Sequence, residues 1–165
     1  MALTAALIPE FDYEMANTRK ALERVPEDKF GWKPHEKSGS MIWLAGHVAN
    51  IPTYAGFILG TDFFDTEAPY THTPEPKTRK ELLDAFDANV KKMRTELQSA
   101  TDEQLMKPWS LKAGEKVYFT QPRIGVLRGM VISHLIHHRG QLTVYLRMNN
   151  VPVPAIYGPS GDEQI

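Results

Sequence analysis

One line of residues near the C-terminal end restricts this chain more than any bulk property. Leu127, Val131, His134, His138, Gln141 and Tyr145 recur in alternating steps of four and three, the spacing that lines up one face of an α-helix. The line begins apolar and turns polar in its middle. An inward face that carries two imidazoles and an amide must give them partners, because an unpartnered polar group in a core is costly. Two imidazoles four residues apart have Cβ atoms about 6 Å apart on one face, and both can reach one metal ion at roughly 2.0–2.1 Å. His134 and His138 are therefore a candidate pair of ligands. His137 has a second compatible spacing with His134 but lies off the line, so it is assigned to the surface or to a supporting place beside the ligands.

A third ligand has to come from a facing helix. Ser40 is a good N-cap for a helix over about Met41 to Ile51, continuing after a kink at Pro52 towards Leu59. His47 is the histidine placed inside that apolar helix. Asn50 follows it by one turn and Gln141 follows His138 by one turn, so either can orient a ligand or bound solvent. The run His134-Leu135-Ile136-His137-His138 has no glutamate at its second position and so lacks the general base of the zincin motif. Tyr54, Tyr145 and Tyr157 read as packing residues with hydrogen-bonded tips, and Arg139 and Arg147 as surface ion pairs.

The other segments are also helical. Ile8, Phe11, Met15, Thr18, Leu22 and Val25 mark a first helix from about Leu3, with a kink expected at Pro9 if that residue lies beyond the first turn. Residues 60–77, with three prolines, read as a long irregular crossover. Thr78-Arg79-Lys80-Glu81 matches a capping box and opens a third helix with Leu82, Phe86, Val90, Met93 and Leu97 on its apolar face. A short turn at Thr101 to Gln104 and a small hairpin around Ala113-Gly114 precede the fourth helix, from Pro122 or Arg123 to Met148. Four helices and one long crossover make an all-α four-helix bundle the economical fold, as one domain over residues 1–165.

Composition narrows the function. The chain has 165 residues, a formal charge of −1 and no cysteine. The charge offers no basic field for nucleic acid, and a thiol nucleophile or Cys-based zinc site is excluded. The uncharged stretch from Ser38 to Thr61 is long enough to span a bilayer but holds His47, Asn50 and Pro52 near its middle, so no membrane span is expected. Met1 to Phe11 does not read as a signal peptide, and a cytoplasmic location is the default expectation.

At this level of detail the residues resemble the DinB/YfiT-like superfamily of small metal-binding helical bundles. The resemblance runs through Trp32-Lys33-Pro34, Leu44-Ala45-Gly46-His47, the run HLIHHRGQ from His134 to Gln141, and the closing Pro154 to Ser160, reading PAIYGPS. It implies up-down-down-up connectivity with the long crossover between helices 2 and 3, and a homodimer. It further implies that His47, His134 and His138 hold one divalent ion, nickel or zinc first, with iron or manganese also suited to imidazole. The activity implied is a small-molecule transferase using a low-molecular-weight thiol, or a metal-dependent hydrolase. Two non-enzymatic readings stay open: a metal that only pins helices together, and an interaction module built on residues 60–77.

Overall fold

The computed structural model describes residues 2–69 and 73–164; residues 70–72 of the expected crossover lie outside the described part. Helix α1 spans Thr4–Glu23, α2 Met41–Asn50, α3 Tyr54–Gly60 and α4 Arg79–Ser99. After a short α5, Asp102–Met106, and two strands, the last helical stretch comprises α6, Arg123–Leu127, and α7, His134–Met148. Of the long helices, α1 packs on α4, α4 on α2, α2 on α7 and α7 on α1, which closes a ring around one apolar core. Phe11 and Leu22 of α1, Leu44 and Val48 of α2, Leu82, Phe86 and Leu97 of α4, and Leu135, Leu142 and Leu146 of α7 are all buried there.

Helix boundaries follow the expected chemistry. Ser40 Oγ accepts from Trp43 N–H at 3.1 Å, and Thr78 Oγ1 accepts from Glu81 N–H at 3.1 Å, each satisfying an orphan donor of a first turn. The Glu81 carboxylate reaches back to Lys77 N–H at 2.7 Å, one residue earlier than an ideal capping box. Pro52 cannot donate to a carbonyl one turn back, and the chain tightens into a 3₁₀ turn at Ile51–Thr53 between α2 and α3. At the far end Asn150 adopts φ 57°. Asn150 N–H bonds Arg147 C=O and Val151 N–H bonds Leu146 C=O, both at 3.0 Å, a Schellman stop. Pro9 lies inside α1, which runs on through it.

The all-α expectation needs correction: the chain is mostly helical but carries a three-stranded sheet, β1 Phe63–Asp65, β2 Pro108–Ala113 and β3 Lys116–Pro122. The hairpin β2–β3 falls where expected, with a bulge between Leu111 and Lys112. Strand β1 lies within the crossover that was read as irregular, and pairs parallel to β2 with Phe64 opposite Leu111. Its Asp65 carboxylate accepts from the N–H of Gly114, in the hairpin turn, and of Glu67, each at 3.0 Å, which holds the Asp65 pKa below its usual value. Gly114 sits at φ 56°, where a side chain is strained, and an added Cβ would lie 2.8 Å from Glu67 Oε2. Buried Arg123 donates to Thr61 C=O at 2.8 Å and to Asp62 Oδ1 at 2.9 Å, fastening the approach to β1 onto α6.

Two further corrections concern the last helix. Between α6 and α7 the backbone widens into a π turn over Arg128–Ser133, which displaces the register of everything after it. The deepest line of α7 is Leu135, Arg139, Leu142 and Leu146, while Gln141 of the expected seam is exposed. Arg139, expected on the surface, is 2% exposed and pairs with Glu14 of α1 at 2.8 Å. It also donates to Glu14 C=O at 3.1 Å, Thr18 Oγ1 at 3.2 Å and Tyr157 Oη at 2.6 Å. The Tyr157 hydroxyl in turn donates to the Glu14 carboxylate at 2.8 Å, so the C-terminal tail is tied to the same buried pair.

Removing one member of a buried ion pair strands the other charge. Glu14→Leu alone is expected to cost about 3–5 kcal/mol. Glu14→Leu with Arg139→Met together should cost much less, as read by urea unfolding; equal losses in both variants would refute the pairing.

Candidate metal centre

His47 comes from the second turn of α2, and His134 and His138 from the first two turns of α7. Helices α2 and α7 are in contact, and one nitrogen of each ring lies within 4.8 Å of the other two. The Nε2 atoms of His138 and His134 are 2.8 Å apart, and those of His47 and His134 3.3 Å. Ligand nitrogens at roughly 2.0–2.1 Å from a metal sit about 2.8–3.4 Å apart for angles between octahedral and tetrahedral. Both of these edges suit two nitrogens on one ion, and the third, between His47 and His138, lies within 4.8 Å.

Hydrogen bonding fixes which nitrogens are available. His138 Nδ1–H donates to Gln141 Oε1 at 2.7 Å, and Gln141 Nε2–H donates to His137 Nε2 at 3.1 Å. His134 N–H bonds Gly129 C=O, five residues back, as the π turn requires. The Met130 carbonyl, four residues back, accepts from His134 Nδ1–H instead, at 3.3 Å. With both Nδ1 atoms protonated, each Nε2 presents a lone pair. Two lone pairs facing each other at 2.8 Å repel unless a cation lies between them, and this is the observation that fits a metal ion to these residues. Burial, and then the neighbouring His138 and His134, push His47 down to about 4. Burial also lowers His134 and His138, so all three rings are neutral at pH 7.

The expected supporting residues divide. Gln141 orients His138, and His137 holds Gln141 rather than joining the ligand set. Asn50 lines the cleft beside His47, and its Oδ1 meets Asn89 Nδ2 at 3.5 Å. The sequence reading missed Trp43, whose ring stacks on His47 at 5.5 Å with 8° between planes; its place four residues before His47 was a readable signal. It also missed the Met130 carbonyl, which no residue pattern announces because a π turn exposes it.

Two clefts of opposite character reach the histidines. One, of about 310 Å³, is lined by apolar side chains including Phe57, Phe64, Trp109 and Leu111, and ends at His134. The other, of about 130 Å³, is lined by Trp43, His47, Asn50 and residues Thr73 to Pro76. Gly46 lets Pro76 approach α2 there, to 3.2 Å from where a Cβ would be. Tyr54 belongs to both clefts and stacks on His134 at 6.2 Å.

Comparison with known proteins agrees with this architecture. Residues 10–142 match the family model of the DinB superfamily. The chain is 26% identical over 163 residues to the uncharacterized protein YrdA of Bacillus subtilis, covering 94% of this chain and 89% of that protein. A DinB-like protein from Bacillus cereus superposes with a TM-score of 0.73 at 21% identity, over 94% of this chain and 98% of that one. The DinB-like YjoA of Bacillus subtilis superposes at 0.67 with 23% identity, over 90% and 96%.

Outer partners of metal-binding histidines tune affinity by about 10–100-fold. Gln141→Leu is expected to weaken zinc binding by that factor in a chelator competition, and unchanged affinity would deny Gln141 its role. A second expectation concerns protons. The folded chain protonates these rings less readily than the unfolded chain, so the unfolded state binds more protons between about pH 4 and pH 6.5, and stability rises with pH through that window. The melting temperature of metal-free protein should fall as pH drops from 6.5 towards 4, less steeply in His47→Gln. Identical slopes would remove His47 as a source.

Proposed function

The chain belongs to the DinB superfamily, and from that premise and the geometry of the three histidines we propose that it is a metal-dependent transferase joining a low-molecular-weight thiol to a small electrophile. His47, His134 and His138 would hold one divalent ion through Nε2. Zinc and nickel are the first candidates, and iron or manganese would also accept imidazole. A divalent ion among three neutral ligands keeps its full charge and lowers the pKa of a thiol or water at an open position, so that the anionic nucleophile persists at neutral pH.

The observation that carries the reading is the pair of clefts meeting at the histidines. A transfer reaction brings two reactants to one point, and here an apolar cavity and a smaller polar cleft reach the cluster from two directions, with Tyr54 between them. In the transfer the thiol would give up its proton to solvent water, and its sulfur would form a bond to the electrophilic carbon. The leaving group departs with the electrons of the broken bond. The chain's part is to aim and to dry the site: Gln141 and the Met130 carbonyl set the ring planes, and Trp43 covers one face of His47. Among the described residues no carboxylate joins the histidine cluster itself, and the carboxylate beside it is that of Glu75, which lines the polar cleft with His47. A purely structural ion would prefer four protein ligands and a closed shell; three ligands beside two clefts favour an exchangeable position.

The up-down-down-up helix order, the homodimer and the cytoplasmic setting belong to the same proposal. Among the described residues no helix is long and apolar enough to cross a membrane.

The test uses protein purified without a nickel column and loaded with cobalt. Adding cysteine or glutathione should produce a sulfur-to-cobalt charge-transfer band. Zinc-loaded protein should speed thiol consumption by a neutral aryl halide at least tenfold, an effect lost in His134→Ala. Absence of both the band and the acceleration would leave the ion as a structural pin.

A further inference from the structure

We propose that the cavity between α3, the sheet and the π turn is the subsite for an uncharged hydrophobic group of the electrophile, an aromatic or branched aliphatic unit of about ten to fifteen non-hydrogen atoms. The part of this inference that places the reaction at the histidines rests on the transferase reading above; the binding claim does not.

Size sets the first limit. A dry cavity of roughly 150 Å³ is enough to hold benzene, and this one measures about 310 Å³. It therefore suits a two-ring system or its aliphatic equivalent. Chemistry sets the second limit. None of the side chains lining it carries a formal charge at neutral pH. The polar groups at its wall are also engaged: Trp109 Nε1–H donates to Thr61 Oγ1 at 3.3 Å and Thr66 Oγ1–H to Lys112 C=O at 3.3 Å. A charged guest would lose its hydration and find no counter-charge, whereas an apolar guest is favoured by the area it removes from water.

Shape and position complete the argument. Phe57 and Phe64 stand edge to face with ring centres 6.1 Å apart, and Met130 adds a polarisable thioether, both favourable towards an aromatic guest. Phe57 is 41% exposed at the mouth, apolar surface that a guest would cover. A void left in a core costs stability. One of this size, kept open beside three convergent imidazoles, fits a binding site better than a packing defect. His134 is part of the lining, so a group seated here lies against the histidine cluster.

The probes are 1-naphthol and 1-naphthalenesulfonate, which share a ring system and differ in charge. They are titrated into metal-free protein without thiol while the methyl NMR signals of Ile58, Leu111 and Met130 are followed. Naphthol should shift these signals saturably, and the sulfonate should bind at least tenfold more weakly. Leu111→Trp, which fills the cavity, should abolish the shifts of Ile58 and Met130 while one zinc per chain still binds. If that variant does not fold, Phe64→Ala supplies the same test through naphthol affinity several-fold weaker. No shift with naphthol, or equal binding of the two probes, overturns the inference. Naphthol binding beside a silent thiol-transfer assay would keep the subsite and refute the transferase; thiol transfer without naphthol binding would do the reverse.

Discussion

Arg139 cannot turn away from Glu14 without stranding a charge in the core, and that constraint decides which way α7 faces. Successive residues of an α-helix are about 100° apart around its axis. With Arg139 directed at α1, His134 and His138 look towards α2, where His47 waits. A buried ion pair adds little net stability once desolvation is counted, so its value here lies in orientation. The Tyr157 hydroxyl, raised in pKa by burial and by Glu14, brings the C-terminal tail to the same point. The tail is then fastened further by the Arg147–Asp162 and Arg24–Glu163 pairs. The run HRGQ and the closing YGPS meet in space through Arg139 and Tyr157: HRGQ carries both a site residue and the anchor that aims it.

The π turn converts this orientation into ligand chemistry. An unbroken α-helix would bond the Met130 carbonyl to the His134 N–H. Widening the turn sends that N–H to Gly129 and frees the carbonyl for the imidazole. The proton is thereby held on Nδ1 and the lone pair on Nε2. His138 reaches the same state by another route, through Gln141. Burial then disfavours protonation of the rings, so metal uptake at neutral pH would displace few protons. Backbone geometry, an amide and desolvation each contribute to one outcome, three nitrogens with lone pairs directed inwards.

What could be read from the residues was the part written in local periodicity. The steps through His134 and His138, the caps at Ser40 and Thr78, and the glycine turn at Gly114 are short-range signals, and each has its structural counterpart. The grouping with His47 came from its place in a second apolar helix and from the family resemblance. What could not be read depends on pairing across the chain. Three residues, Phe63 to Asp65, are too few to show alternation and become a strand because β2 lies alongside. Arg139 follows two histidines and looks like a solvent-facing residue until Glu14, 125 positions away, is brought against it. The π turn has no composition of its own, and the exposure of Gln141 follows from it.

The strand that was hardest to foresee also has the largest bearing on chemistry. The helices alone would leave the apolar side of α3 in water and His134 hydrated. Strand β1 is held on β2 by its ladder, on the hairpin turn by Asp65, and on α6 by Arg123. Phe64 and Leu111, paired across the sheet, are thus placed beside α3 as a wall, and the space they line is apolar. The helical part of the chain supplies the nitrogens and the sheet supplies the solvent they face. A chain with the same three histidines and a different crossover would present the same ligand set to a different cavity. Fold and ligands together therefore do not settle a substrate, and selectivity should follow the residues of the crossover and hairpin more closely than those of the long helices.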